Sequence, residues 1–540
     1  MLEVTIDGNH VQVSKDLTIL EAARLCGISI PTLCSCGNGN VFSGSSCRLC
    51  IVEIEGENVY YPACSTRVWD GMLVRTSTPD IQNTRRMILQ LIFSTHQLSC
   101  PTCAASDKCE LIKLSSQTGL KNASFSLQKK KTDMLEENNS VFIRDPGKCV
   151  LCGRCVSVCS ELQSVGSISL SGRGKDFRVE PAFPNVSPCT GCGECFRVCP
   201  TGGVMIRNNI DEICRVIQKS SETQKIAIIS PHFSLDNKLY DFSISSIVYV
   251  LRRLGFKKVY SSETASNMEA WNIFQHLKSM IPKSSGLIFS SVCPAVVKFT
   301  ENFFPEMLSF FSSLKSSSAL MSEIVKNMDK PNSKSVKQPV KVVFSFSSCF
   351  SERIDNNHLF IDHFISDQEF CTLLSRFGII LDKNCTSDFD NAGGKIPSLH
   401  ISQKIALQFK RESASVDTRA LFDNNFLDKC CSGEMFSSEI SVNGQKIVFH
   451  FSSGLKNVRE VFNRISDYQS DGRIHVFEMF GCSGESSCLF ASSRRQIKNG
   501  FSETTCADFG EVKDMIQFCD GKPDIDECFV RKAPVRKIFC

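Results

Sequence analysis

The chain has 540 residues, of which 30 are cysteine, and a formal charge of only +4 from 61 Lys+Arg against 57 Asp+Glu. That length sustains several cored domains, about three or four, and so small a net charge excludes bulk nucleic-acid binding. No stretch approaches the roughly eighteen uninterrupted apolar residues of a membrane span.

Leu2, Val4 and Ile6 alternate with polar residues, Asp7-Gly8-Asn9 turns the chain, and Val11 and Val13 alternate again, which predicts a β-hairpin. Because Met1 leads straight into this pattern, neither a signal peptide nor an arginine-rich targeting segment is expected. Thr18-Ile19-Leu20-Glu21 is a capping box opening a short helix, with Leu20, Ala23 and Leu25 expected on its buried side. Cys34 follows within Pro31-Thr32-Leu33-Cys34, then Cys47 and Cys50 as a CxxC, then Cys64. Four thiolates at these separations close around two irons, or alternatively around one zinc. Gly37, Gly39 and Gly44 lie in the loop that must wrap the group, with Cys36 a spare thiol nearby.

Pro79–Leu98 reads as a helix, with Met87, Leu91 and Leu98 spaced along it. It leads into His96, Cys100, Cys103 and Cys109. Residues 115–140, rich in Ser, Lys, Asn and Glu, form a polar linker. Two cysteine runs come next: Cys149, Cys152, Cys155 and Cys159, then Cys189, Cys192, Cys195 and Cys199 followed by Pro200. In such double runs the fourth cysteine of each ligates the other cluster. Cys149, Cys152, Cys155 and Cys199 therefore form one ligand set, and Cys159, Cys189, Cys192 and Cys195 the other. Gly153 and Gly191 supply tight turns. No GxGxxG follows a strand, so electrons are expected from a protein donor.

From Lys225 the pattern becomes α/β. Ile226–Ile229, Val259-Tyr260, Leu287–Phe289 and Lys341–Phe344 read as strands, and Ile244–Leu254 as a helix ended by Gly255. Cysteines occur just past several of these strands, where open α/β sheets place functional groups.

The front of the chain, with Cys34, Cys47, Cys50 and Cys64 followed by His96-x3-Cys100-x2-Cys103-x5-Cys109, resembles the large iron–sulfur subunit of respiratory complex I and the long [FeFe]-hydrogenases. The resemblance implies a [2Fe–2S] cluster on the first four residues and a histidine-ligated [4Fe–4S] cluster on the second four. Further on, Ser290-Ser291-Val292-Cys293-Pro294, Ser348-Cys349-Phe350-Ser351-Glu352 and Glu478-Met479-Phe480-Gly481-Cys482 resemble the three active-site signatures of the [FeFe]-hydrogenases. It implies cubane ligation by Cys293, Cys349 and Cys482. Against the family pattern, Val292 replaces a proton-carrying cysteine and Glu352 a lysine. Phe480 replaces a methionine and Ser486 the bridging cysteine, with Cys488 displaced by two residues. The family's paired glutamates align with Asn272 and Ile273. Serine is a poor bridge where a soft thiolate is needed, and the lost thiol and carboxylates are acid–base groups. These departures argue against a di-iron unit and against hydrogen turnover, so no catalytic residue is assigned.

The expected fold is an α+β chain. A β-grasp ferredoxin domain (1–78), a segment with one histidine and three cysteines as ligands (79–118), a linker (119–140) and a two-[4Fe–4S] ferredoxin domain (141–210) precede an α/β iron-only-hydrogenase-like domain (225–500) and a divergent tail (501–540). The expected cofactors are one [2Fe–2S] and three [4Fe–4S] clusters, with a fourth cubane at the residual site. The expected function is electron relay from a ferredoxin or flavin-containing donor subunit, without nucleic acid or membrane span. An active hydrogenase with a rebuilt bridge and a non-enzymatic cluster-assembly or sensing protein are the alternatives. Thiols bound to iron need a reducing compartment: the cytoplasm is expected, with a hydrogenosome- or mitosome-type organelle as the alternative.

Overall fold

The computed structural model describes residues 1–482 apart from residues 104, 208 and 284 and segments 36–44, 121–135, 138–140, 184–185, 220–222, 231–232, 234–243, 329–339, 355–359, 380–385, 391–399, 414–415 and 422–434. Cys36, Cys385, Cys430, Cys431, Ser486, Cys488, the three loop glycines Gly37, Gly39 and Gly44, most of the linker and the C-terminal tail lie outside the described residues. The chain divides into two compact units: residues 1–188 with 193–207, and 189–192 with 208 onward.

In the first unit β1 (Leu2–Ile6) and β2 (Asn9–Val13) pair antiparallel, with Asp7 and Gly8 both at positive φ as a tight hairpin turn requires. Together with β3 (Ile51–Ile54), β4 (Tyr61–Pro62) and β5 (Met72–Arg75) they form a sheet of order β2-β1-β5-β3-β4, whose β1–β5 pair is parallel. Helix α1 (Ile19–Leu25) starts on the capping box: Thr18 Oγ1 accepts from Glu21 N, and Glu21 Oε2 accepts from Thr18 N at 2.8 Å. Ile19, Leu20, Ala22 and Ala23 are buried, but Leu25 is 66% exposed. At 100° per residue Leu25 points away from the side shared by Ile19 and Ala23, which corrects the sequence reading.

Helix α2 (Pro79–Thr95) is capped by Thr78 and buries Ile81, Arg85 and Leu89 along one stripe. Met87, Leu91 and Leu98 are all exposed, so the stripe that packs is not the one the apolar residues traced. An arginine lies in the middle of it. Helix α3 (Glu110–Gln117) begins directly after Cys109 and joins Leu111 and Leu114 to Leu33, Leu49 and Leu89 in a small core. Beyond β6 (Glu136–Glu137) and β7 (Phe142–Arg144), the short helices α4 (Arg154–Ser157) and α5 (Glu194–Arg197) each start after a left-handed glycine, Gly153 and Gly193. A hairpin of β8 (Ile168–Ser171) and β9 (Arg178–Pro181) separates them, and β10 (Val204–Ile206) pairs with β7.

Among the described residues the second unit contains two four-stranded sheets. One, of order β12-β11-β14-β15, is parallel throughout, built from β11 (Thr223–Ile229), β12 (Lys258–Ser261), β14 (Val340–Phe346) and β15 (His363–Ile365). The other, of order β13-β18-β17-β16, joins β13 (Gly286–Phe289), β18 (Ile474–Phe480), β17 (Gln445–Ser453) and β16 (Phe436–Val442), with only the β16–β17 pair antiparallel. Every residue of β18 is buried, as a parallel strand covered on both faces demands. The helices are α6 (Ile210–Gln218), α7 (Ile244–Arg253), α8 (Glu263–Met280), α9 (Pro294–Phe303), α10 (Ser317–Asn327), α11 (Asp367–Arg376), α12 (Ile401–Glu412), α13 (Leu455–Asn463) and α14 (Ile465–Ser470). Phenylalanines fill both cores: Phe233, Phe346 and Phe370 meet edge to face on the first sheet, and on the second Phe289 meets Phe462 edge to face and Phe477 at a tilt. Among the described residues no helix is long and apolar enough to cross a membrane.

Candidate metal centres

Cys34 follows the turn after α1, Cys47 and Cys50 precede β3, and Cys64 follows β4. Folding links the four sulfurs in a chain of neighbours, Cys47 to Cys34, Cys34 to Cys64 and Cys64 to Cys50. Cys47 and Cys64 together pull the Cys34 thiol well down, Cys64 lowers Cys50 to about 7, and Cys64 and Cys47 are pushed up as the sharing partners. Such a proton-sharing set is what an inorganic cluster replaces when it binds. Leu33 N donates to Cys47 Sγ at 3.4 Å, an amide already directed at a candidate ligand sulfur.

Behind this loop the buried Arg85 guanidinium donates to Leu49 O at 2.9 Å and Ile51 O at 2.8 Å, the carbonyls flanking Cys50. Burial lowers its pKa to about 10, which leaves it charged at neutral pH. Neither Arg85 nor its role was visible in the ligand spacing.

His96 is the residue at which α2 gives way to extended chain, and it shares a small cavity with Cys100, Cys103 and Cys109. Burial lowers its pKa, favouring the neutral ring that binds metal. Its Nδ1 is buried without a hydrogen-bonding partner among the described residues. An unpaired buried ring nitrogen on a histidine that shares its cavity with three cysteines fits a metal ligand better than a structural histidine.

Cys149, Cys152, Cys155 and Cys199 line one cavity of about 330 Å³. Three come from the first cysteine run and one from the second, the exchange that a two-cluster ferredoxin uses. Burial pushes Cys155 up to about 12 and holds Cys152 well above its ordinary value, so a cluster here would displace protons on binding. Of the remaining set, Cys159 and Cys195 belong to the first unit, while Cys189 and Cys192 group with the second. Ser167 N donates to Cys159 Sγ at 3.3 Å.

Arg154 lies between Cys152 and Cys155 and is 2% exposed. Its guanidinium binds Glu110 through both carboxylate oxygens, at 2.7 and 2.8 Å, and Ser35 O at 2.9 Å. Sequence spacing drew attention to the cysteines on either side and passed over this residue.

In the second unit Cys293, Cys349 and Cys482 follow β13, β14 and β18, each at the carboxyl end of a parallel strand. Burial, then the charges of Cys482 and Cys349, push the Cys293 thiol up to about 12; the three sulfurs share one neighbourhood. Gly481 N donates to Cys293 Sγ at 3.3 Å. A Cβ on Gly481 would lie 2.6 Å from that of Ala295, so this approach requires glycine. Cys349 Sγ lies 3.0 Å from Ser351 Oγ.

Among the positions that depart from the resemblance, Val292 is half-buried beside Cys293, and Glu352 and Phe480 are buried. Asn272 and Ile273 lie on α8, and one turn earlier on that helix is a carboxylate the sequence reading missed. Glu269 accepts from Ser290 Oγ at 2.9 Å, Ser291 N at 2.8 Å and Ser291 Oγ at 3.2 Å, and burial raises its pKa. Among the described residues no three His, Cys, Asp or Glu side chains converge as the ligands of a single ion do; the ligands of a cubane instead each take a separate iron.

Residues 223–489 match the family described as "Iron only hydrogenase large subunit, C-terminal domain". Residues 1–79 match a "2Fe-2S iron-sulfur cluster binding domain", 85–124 the "NADH-ubiquinone oxidoreductase-G iron-sulfur binding region" and 148–203 a "4Fe-4S dicluster domain". The chain is 29% identical to the NADP-reducing hydrogenase subunit HndD of Solidesulfovibrio fructosivorans, over 90% of this chain and 87% of that one. It is 28% identical to iron hydrogenase 1 of Clostridium pasteurianum, over 58% and 56% respectively. Its front is 36% identical to the alpha subunit of the NADPH-Fe(3+) oxidoreductase of Geobacter sulfurreducens, covering 37% of this chain but only 24% of that relative. The chain is an [FeFe]-hydrogenase-like protein, in which iron–sulfur binding domains of the complex I 75 kDa type precede an iron-only-hydrogenase-like domain.

Proposed function

We propose that this chain relays electrons from a ferredoxin or flavin-containing donor subunit to a residual cubane site at Cys293, Cys349 and Cys482, with hydrogen turnover impaired. The observation that carries the reading is the cavity lined by Cys149, Cys152, Cys155 and Cys199, which gathers cysteines from two separate runs about one space. Clusters bound at such sites supply reversible one-electron storage. In this reading Cys34, Cys47, Cys50 and Cys64 hold a [2Fe–2S] cluster, and His96, Cys100, Cys103 and Cys109 a [4Fe–4S] cluster. Cys149, Cys152, Cys155 and Cys199 hold a third cluster, and Cys159, Cys189, Cys192 and Cys195 a fourth. The amides of Leu33, Ser167 and Gly481, aimed at ligand sulfurs, favour the extra negative charge of the reduced state. The name of the HndD relative, an NADP-reducing hydrogenase subunit, supports a nicotinamide-linked partner subunit.

Residues around the residual site argue against hydrogen chemistry. Proton transfer needs an ionisable atom within hydrogen-bond reach of each step. Glu269 is held on Ser290 and Ser291, but the next side chain toward Cys293 is Val292, which can neither donate nor accept a proton. Glu352 puts a carboxylate where the family's lysine would donate.

The test is anaerobic reconstitution of the full chain, with and without the di-iron maturation system. Four relay clusters carry about fourteen irons per chain and a fifth cubane about eighteen. Reducible paramagnetic signals without hydrogen evolution or cyanide and carbonyl infrared bands support the reading. Hydrogen evolution from reduced ferredoxin would establish the active-hydrogenase alternative, and iron-free protein would leave the assembly or sensing role.

A further inference from the structure

We propose that Arg154, paired with Glu110, is a shared positioning and potential-setting residue for three clusters of the first unit. The inference rests on the relay reading and deepens it. Each partner of the pair adjoins a cysteine of a different ligand set. Ser35, whose carbonyl accepts from Arg154 Nη2, follows Cys34; Glu110 follows Cys109; Arg154 itself lies between Cys152 and Cys155. Glu110 N donates to the carbonyl of Pro200 at 2.9 Å, and Pro200 follows Cys199. Ser46, just before Cys47, donates to Cys152 O at 3.3 Å. The loops holding three predicted clusters thus meet at one ion pair.

Arginine suits this position because its planar fork meets both oxygens of one carboxylate and still reaches a carbonyl; lysine has no such geometry. The two charges are unequally shielded. The Arg154 side chain is 3% exposed and the Glu110 side chain 41%, so solvent weakens the negative partner more. The pair therefore presents net positive potential to its surroundings. Reduction adds negative charge to a cluster, and a fixed positive charge nearby favours it.

This gives a signature of sign. Arg154→Gln removes the cation and leaves a carboxylate, so the midpoints of the [2Fe–2S], histidine-ligated and Cys149-containing clusters all shift downward. Glu110→Gln shifts the same three upward, by less. Arg154→Lys keeps the charge without the fork and returns most of the Arg154→Gln shift. A purely structural role would move both glutamine variants the same way.

The experiment is a paramagnetic-resonance redox titration of the full, anaerobically reconstituted chain and these variants. Opposite shifts in all three clusters support the proposal. A shift confined to the Cys149 cluster, equal signs for the two glutamine variants, or unmoved midpoints overturn it. Should Arg154→Gln fail to hold clusters, Glu110→Gln decides alone, and no upward shift there is a refutation. Wild-type protein without reducible iron signals would instead sink the relay reading itself.

Discussion

Glu478 holds Ser402 through two hydrogen bonds, from its backbone N–H at 3.0 Å and its hydroxyl at 2.8 Å. The same carboxylate accepts from Ile401 N and His400 Nδ1, each at 3.1 Å. A glutamate two residues before the chain leaves β18 toward Cys482 thereby caps the amino end of α12, where unpaired N–H groups and the helix dipole favour an anion.

Glu478→Ala should therefore loosen the strand end that presents Cys482 and destabilise the second unit by about 3 kcal/mol, the usual cost of leaving buried donors unpaired. Burial acts to raise the Glu478 pKa, but His400 and the Ser402 donors outweigh it and the net shift is downward. A depressed carboxylate contributes stability above its unfolded value, ordinarily 4.5, and that stability is lost as pH falls through the lower folded value. Glu478→Gln should flatten this acid limb. Urea midpoints between pH 6 and pH 3 would check it, and unchanged acid sensitivity in Glu478→Gln would refute the assignment.

A second titration belongs to the other side of the same sheet strand pair. His450 Nε2 lies 2.8 Å from His475 Nδ1, and His475 Nε2 lies 2.8 Å from Asp471 Oδ1. Burial, then the neighbouring His475 and Arg473, lower the His450 pKa from 6.5 to about 3. The unfolded chain then binds a proton that the folded chain refuses, so stability falls as pH drops from about 6.5 toward 3, by up to about 1.4 kcal/mol per unit. His450→Phe should remove that slope. Denaturation followed through Trp271 in a Trp69→Phe background would read the second unit alone.

Cysteine spacing and strand position were legible in the sequence because candidate ligand runs and parallel strands both leave local, regular marks. Cys149, Cys152 and Cys155 declared themselves, and so did the buried runs at Ile226–Ile229 and Leu287–Phe289. Residues that act across the fold left none. Arg85 interrupts the apolar stripe of α2, and its partners are the carbonyls of Leu49 and Ile51, more than thirty residues away. Glu269 meets Ser290 and Ser291 only because α8 packs beside the end of β13. Leu25 failed for a simpler reason: a helix of two turns has too few positions to fix which side faces the sheet.

Arg85 gives a third prediction. Its buried charge is satisfied by two carbonyls, so Arg85→Met leaves both acceptors without a donor beside Cys50. The first unit should lose about 2–3 kcal/mol, and the [2Fe–2S] signal should become labile while the histidine-ligated cluster persists. Thermal bleaching of the visible absorption, compared with paramagnetic-resonance integration of each cluster, separates these. Equal loss of both signals would mean that Arg85 supports the unit as a whole and has no special tie to the Cys50 loop.

The residual site makes the last prediction countable. Cys293, Cys349 and Cys482 come from three strand ends, and each thiol is expected to take one iron of a single cubane. Cys349→Ser keeps the size of the side chain but offers a hydroxyl whose proton is far harder to displace. Iron should fall by about four per chain, with the signals of the first unit unchanged. Cys371, on the exposed face of α11 in the same unit, supplies the control: Cys371→Ser should leave the iron content intact. If Cys349→Ser also kept its full complement, the three strand-end cysteines would be ordinary buried thiols, and the relay would have to end within the first 207 residues.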